Sequence, residues 1–244
     1  MQSSVYRRVS WVSFFLLVLT TIQTFQILHF PAWAAEPSGR TVAPEKSLGW
    51  LTNGNTRFTK GYLRRDGQSS KDVKKLVKGQ APHAIVLSCS DSRVPPELVF
   101  DQKLGEIFTV RTAGMALDDN AIGSIEYAVE HLGARLIVVM GHTSCGAVAT
   151  AHGTMEGASA GSHSLDNLVK DIHPRLKDFK GKAPSPGLEA ESWANAEGVA
   201  KDIVIRSKIL AERFEKGEVW VVPSLYHLAS GKVEFHERLK MKSQ

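Results

Sequence analysis

A chain of 244 residues, 43% of them apolar, can bury one substantial core, and one domain is the simplest count. Its 30 Lys and Arg against 25 Asp and Glu give a net charge of only +5. With no basic patch studded by aromatics, that balance argues against a nucleic-acid partner.

Residues 1–34 read as an export signal outside the folded domain. Arg7 and Arg8 form a positive n-region, Trp11 to Leu19 an apolar run broken only by Ser13, and Ala32-Trp33-Ala34 a small-x-small cleavage site. An uncleaved anchor over Trp11 to Phe30 is the rival reading, but Thr20, Thr21, Gln23, Thr24, Gln26 and His29 make that span too polar. Arg7-Arg8 could also open a twin-arginine signal, although the neighbouring residues match one poorly. Cleavage after Ala34 leaves 28 basic against 25 acidic side chains, a net +3. The expectation is an exported protein, periplasmic or otherwise extracytoplasmic, soluble and free of the membrane once cut.

Residues 35–47, rich in Pro, Ser and Gly, are expected to be a flexible lead-in, and 48–244 the folded domain. Leu48, Leu51, Phe58 and Tyr62 fit one helix, weakened by Asn53-Gly54-Asn55. Asp66 to Gln80 is charged and turn-rich, a solvated loop or short helix. Ala84 to Ser88 is a short apolar run of the kind that forms a buried parallel strand. Val94-Pro95-Pro96-Glu97 begins a turn or helix, since two prolines cannot lie inside a strand ladder. Ile107 to Arg111 is a second strand. Asp118 or Asp119 caps a helix with apolar positions Ile122, Ile125, Val129 and Leu132, closed by Gly133. Leu136 to Met140 is the third strand, and a helix begins near Cys145.

Residues 153–163 form a small-residue loop, and Leu165, Leu168, Val169, Ile172 and Leu176 mark a helix disturbed at Pro174. After a Pro/Gly loop over 180–187, Trp193 to Phe214 reads as one long helix closed by Gly217. Val219 to Val222 is the fourth strand, and Leu225 to Leu228 with Lys232 to Phe235 a terminal hairpin across Ala229-Ser230-Gly231. This alternation predicts a single α/β domain, with a central, mostly parallel sheet flanked by helices. In the order 2-1-3-4, plus a C-terminal hairpin strand, strands one and three are neighbours. The chain reverses direction between them, and such a reversal makes a ligand crevice at the strands' carboxyl ends.

Chemistry-bearing residues fall at those ends. Cys89, Asp91 and Arg93 follow strand one, and His142 and Cys145 follow strand three. Cys89 and Cys145 are the chain's two cysteines, so an exported protein invites a disulfide reading. A disulfide, however, gives no role to His142, Asp91 or Arg93. Two thiolates and an imidazole make a common zinc set, and a catalytic zinc keeps three protein ligands with a fourth position open. One Zn2+ per chain on Cys89, His142 and Cys145 is therefore expected. The remaining histidines have no second ligand at useful spacing and read as surface or core residues.

At these residues the sequence resembles the β-class carbonic anhydrases. The matching blocks are Cys89-Ser90-Asp91-Ser92-Arg93-Val94-Pro95 and Gly141-His142-Thr143-Ser144-Cys145-Gly146-Ala147-Val148, with further likeness at Asp101 to Phe108, Val110 to Gly114 and Ser124 to Val129. The resemblance implies reversible hydration of CO2 to bicarbonate and a proton, by a hydroxide that zinc generates from water. It implies that Asp91 either orients that hydroxide or becomes the fourth ligand, with Arg93 competing for the carboxylate. It implies a substrate contact for Gln102 and, at the start of a helix, a backbone N–H of Gly146 suited to an anionic product. Met115 departs from the asparagine common at that place. The family builds its active site at a subunit interface, so a homodimer or tetramer is expected. Two other readings stay open: a COS or CS2 hydrolase on the same fold, and a non-catalytic zinc protein. A structural zinc site wants a permanent fourth Cys or His, and none stands beside these three.

Overall fold

The strand that leads into the first cysteine is an interior strand of the sheet. In the computed structural model, which describes residues 41–240, β1 (Ala84–Cys89) is buried at all six positions, as a strand covered on both faces must be. The export-signal reading of residues 1–34 and the start of the lead-in lie outside the described residues. β1 pairs in parallel with β2 (Ile107–Thr112) on one side and with β3 (Leu136–His142) on the other. β4 (Trp220–His227) runs parallel to β3, and β5 (Lys232–Phe235) closes the sheet antiparallel to β4. The order β2-β1-β3-β4-β5 is the predicted one.

Alternation along the strands sends side chains into two cores. Val86, Val138, Met140 and Val222 pack with α1 (Pro44–Thr59), α5 (Gly146–Thr154) and α6 (His163–Ile172). Ile85, Leu87, Ile137 and Val139 pack with α4 (Asp119–Glu130), α7 (Glu189–Arg206) and α8 (Lys208–Glu215). Burying a side chain such as Ile85 or Leu87 contributes about 1.5–3 kcal/mol, and the two cores together fix β1 against slippage. Short helices α2 (Ser70–Leu76) and α3 (Pro96–Val99) complete the chain.

Several features differ from the sequence reading. α1 starts at Pro44 rather than Leu48, because proline fits the first helical position, where no N–H bond is needed. Asn53-Gly54-Asn55 stays helical because tertiary contacts overrule propensity. A Cβ on Gly54 would lie 1.7 Å from the Phe100 carbonyl oxygen. Asn55 donates to the carbonyls of Val99 (3.1 Å) and Gly231 (2.9 Å) and accepts from Val233 N–H (2.8 Å). The long helix from Trp193 is two helices, broken at Ser207, whose backbone is extended (φ −116°, ψ 114°). Ser207 Oγ accepts Leu210 N–H at 3.1 Å as the cap of α8 and donates to Glu126 at 2.5 Å.

Finally, the fourth strand and the first hairpin arm are one strand, β4, running through Pro223. The Pro223 carbonyl accepts His236 N–H at 3.0 Å, so its missing donor falls on that same side, one step past the end of the β4–β5 ladder at Phe235. Proline is tolerated at such a position.

Candidate metal centre

Sheet register brings the carboxyl ends of β1 and β3 together. Ser88 pairs with Met140, which leaves Cys89 as the last residue of β1 and His142 as the last of β3. β3 thus runs two residues beyond its predicted end, and the histidine stands on the strand rather than past it. Cys145 sits immediately before α5. The chain turns into it through Ser144, a non-glycine residue in the left-handed region (φ 54°). That conformation costs roughly 1–2 kcal/mol, and a hydrogen bond from Ser144 N–H to the Gly187 carbonyl at 2.6 Å holds it.

Ligand atoms of Cys89, His142 and Cys145 all lie within 4.8 Å of one another, and all three residues are buried. The sulfurs are 4.0 Å apart and both cysteines are free, so the disulfide reading does not describe this structure. Two thiolates 2.3 Å from a tetrahedral zinc would stand about 3.7 Å apart. The sulfurs therefore already span a zinc-sized gap. His142 Nδ1 lies 2.9 Å from the Thr143 carbonyl, which can only accept, so Nδ1 carries the proton and Nε2 presents its lone pair. That Nε2 is buried without a hydrogen-bond partner. A buried, unpaired lone pair facing two sulfurs suits a cation. The donor set fits zinc.

The thiols differ before any cation arrives. Cys89 is held below the usual thiol range by the hydrogen bond from Cys145 and, against the cost of burial, by the backbone N–H groups of Gly114 and Asp91. Cys145, as the donor and a buried group, is pushed up, opposed by the amides of Val148 and Ala147 at the head of α5. One thiolate stands ready, and a bound cation would displace the second proton.

Asp91 and Arg93 form a two-pronged pair beside this cluster. Arg93 Nε reaches Asp91 Oδ1 at 2.9 Å, Nη2 reaches Oδ2 at 2.7 Å, and the Arg93 backbone N–H adds a third bond at 2.9 Å. The guanidinium holds the carboxyl well below the usual carboxylate range. Asp91 Oδ2 is 3.8 Å from His142 Nε2, close to the cluster but turned toward Arg93. Sequence reasoning missed Arg111, which donates to the carbonyls of Cys89 (3.0 Å) and Asp91 (2.6 Å) and stiffens the segment carrying both. Only the pairing of β1 with β2, which sets Arg111 opposite Ser88, gives it that reach.

Gly146 is the first residue of α5, and a Cβ there would meet open space. Gln102 stands apart from this trio within one chain. Its Oε1 lies 3.0 Å from His83 Nε2, and its amide donates to the Phe100 carbonyl at 2.6 Å. His83 precedes β1 at the amino end of the sheet, roughly 20 Å along the strand from Cys89 at about 3.3 Å per residue. Within one chain Gln102 cannot touch a substrate at the cluster. Among the described residues, no other His, Cys, Asp and Glu group gathers as a metal set.

The sequence profile described as carbonic anhydrase matches residues 84–233. A carbonic anhydrase of Mycolicibacterium smegmatis is 37% identical over 203 residues, covering 83% of this chain and 97% of the relative. Among solved structures, the Coccomyxa β-carbonic anhydrase in complex with acetazolamide superposes with a TM-score of 0.62 at 23% identity, covering 79% of this chain and 87% of that one. A tetrameric β-carbonic anhydrase of Sordaria macrospora gives 0.59 at 22% identity, covering 78% and 96%.

Proposed function

The chain belongs to the β-class carbonic anhydrases, and from that premise we propose how its own residues serve the reversible hydration of carbon dioxide. It is a zinc-dependent carbonate dehydratase. Cys89, His142 and Cys145 would hold the metal, with Thr143 fixing the imidazole tautomer. When bound, zinc supplies the positive charge that lets water lose a proton near neutral pH.

Asp91 would accept a hydrogen bond from the nucleophile and so orient it toward CO2. For this the carboxylate must be ionised, and Arg93 keeps it so. Arg93 also keeps Asp91 from swinging onto the metal, since both its oxygens are engaged. The Gly146 N–H at the head of α5 favours the anionic product, helped by the helix dipole. The observation that carries this reading is the unpartnered His142 Nε2 between two thiols, with an Arg-held carboxylate 3.8 Å away and, among the described residues, no fourth Cys or His beside them. A stopped-flow CO2-hydration assay on the zinc-loaded chain tests it. Turnover well above the buffer rate is expected, and a rate at the buffer level overturns the assignment.

The working unit we infer is a homodimer or a larger even assembly, supported by the tetrameric Sordaria relative. Sedimentation showing an active monomer at micromolar concentration would refute it. Export is supported by Arg7-Arg8, the apolar run and Ala32-Trp33-Ala34. No helix of the described residues is long and apolar enough to cross a membrane. The intact mass of the exported protein should match a chain starting at Ala35, and a full-length species held in the membrane contradicts this.

A further inference from the structure

We propose that Asn195 is a positioning residue for the metal centre, holding the backbone N–H of Gly114 on the sulfur of Cys89. The inference rests on the zinc reading above and extends it to the loop that follows β2. Gly114 N–H donates to Cys89 Sγ at 3.3 Å. That contact exists because the loop is folded tightly. Gly114 (φ 60°, ψ 18°) and Met115 (φ 57°) are consecutive left-handed residues, and Met115 has a side chain that disfavours this conformation. The loop is also walled in: a Cβ on Gly114 would lie 2.8 Å from Ile172 Cδ1 and 2.9 Å from Ala147 Cβ.

A loop in that conformation needs anchors, and α6 and α7 supply them. Asn195 on α7 is fully buried, and its Nδ2 donates to the Gly114 carbonyl at 2.7 Å. Asp171 on α6 accepts Leu117 N–H at 2.8 Å, fixing the far end of the loop. Arg175 ties the two anchors together, donating to Asp171 at 2.9 Å and to Asn195 Oδ1 at 3.4 Å. Asn195 therefore touches no ligand and acts through one peptide group. An N–H aimed at a thiolate draws off electron density, so Cys89 becomes a weaker donor. The metal it shares with a second thiolate stays more electrophilic. Groups that orient metal ligands in this way typically change metal affinity 10–100-fold when removed.

The test uses the full chain loaded with one equivalent of cadmium-113 or cobalt(II). In the wild type, a through-hydrogen-bond coupling between the Gly114 amide proton and cadmium-113 is expected. In Asn195→Leu, and in Asn195→Asp, which keeps the shape but cannot donate to the carbonyl, that coupling should vanish. The sulfur-to-cobalt charge-transfer bands should move to longer wavelength as Cys89 becomes the stronger donor. Zinc affinity by chelator competition should nevertheless weaken tenfold or more, because a sulfur no longer held by the N–H loses its position for the metal and that loss outweighs the gain in donor strength. Ser192→Ala removes a buried hydroxyl without a partner one turn earlier on α7 and should leave all three unchanged. Absence of the coupling in the wild type overturns the proposal, and that measurement stands even if both Asn195 variants fail to fold. Wild-type bands and affinity in the Asn195 variants overturn it too, as does an equal shift in Ser192→Ala. If the wild type takes up no metal or shows no sulfur bands, the zinc reading itself has failed and the proposal falls with it.

Discussion

Removing Arg93 tests the division of labour at the site. In Arg93→Ala, Asp91 loses the bonds of 2.9 and 2.7 Å to the guanidinium and keeps only the backbone bond at residue 93. The arginine side chain is 53% exposed, so solvent screens the pair and its worth is about 1 kcal/mol, well under that of a buried pair. One kilocalorie shifts an equilibrium about fivefold. Released, Asp91 Oδ2 starts 3.8 Å from His142 Nε2, a rotation away from the fourth metal position. CO2 hydration should therefore fall in Arg93→Ala, by at most about fivefold, with the melting temperature within a few degrees of wild type. Asp91→Ala removes the orienting acceptor altogether and should lose two to four orders of magnitude, the usual range for a proton-handling side chain, with zinc still at one per chain. X-ray absorption on the zinc-loaded variants should see two sulfurs in each, with a carboxylate oxygen on the metal only in Arg93→Ala. Wild-type turnover in Asp91→Ala, measured by stopped flow, would refute the reasoning. Loss of zinc in that variant would mark a closed four-ligand site.

Other consequences follow from the same geometry. Gly54→Ala, which helix propensity alone says should stabilise by about 1 kcal/mol, should instead destabilise by about 1–3 kcal/mol in urea melts, since the methyl would lie 1.7 Å from the Phe100 carbonyl oxygen. Ser207→Ala removes the cap of α8 and its bond to Glu126, and should cost about 1–2 kcal/mol by the same measurement. Asp91 has its carboxyl pKa lowered in the folded state, chiefly by Arg93. Its contribution is therefore present above the unfolded carboxyl pKa of about 3.9 and lost as pH falls through the lower folded value. In Arg93→Ala that contribution is missing, so urea midpoints of variant and wild type should differ most above pH 4 and converge in stronger acid. Midpoints that diverge as pH falls contradict this.

Much of this was legible in the sequence because burial leaves a mark. β1 and β3 are readable as apolar runs since these parallel strands are covered on both faces, and the ligand trio because Cys89, His142 and Cys145 follow such runs. What was not legible depends on contacts distant in sequence. Nothing near Ser207 announces that its hydroxyl meets Glu126, so two helices read as one. Pro223 reads as a strand breaker until β5 is known to stop beside it. Asn53-Gly54-Asn55 reads as a weak helix until Phe100 presses against Gly54. Gln102, singled out by likeness of motif, bonds His83 at the opposite end of the strand from the Cys89 of its own chain. Arg111 and Asn195, which brace the site through backbone groups, carry no local signature at all.

The central claim, that the Cys89, His142 and Cys145 trio holds the zinc on which CO2 hydration depends, is tested most directly by titrating metal back into the chelated protein. Stopped-flow turnover should be at the buffer rate without metal and should rise in proportion to bound zinc, reaching a plateau at one equivalent per chain. Cys145→Ser, titrated the same way, should bind zinc weakly and stay inactive. Turnover that persists in the metal-free protein, or a full equivalent of bound zinc with no turnover above buffer, would contradict the account.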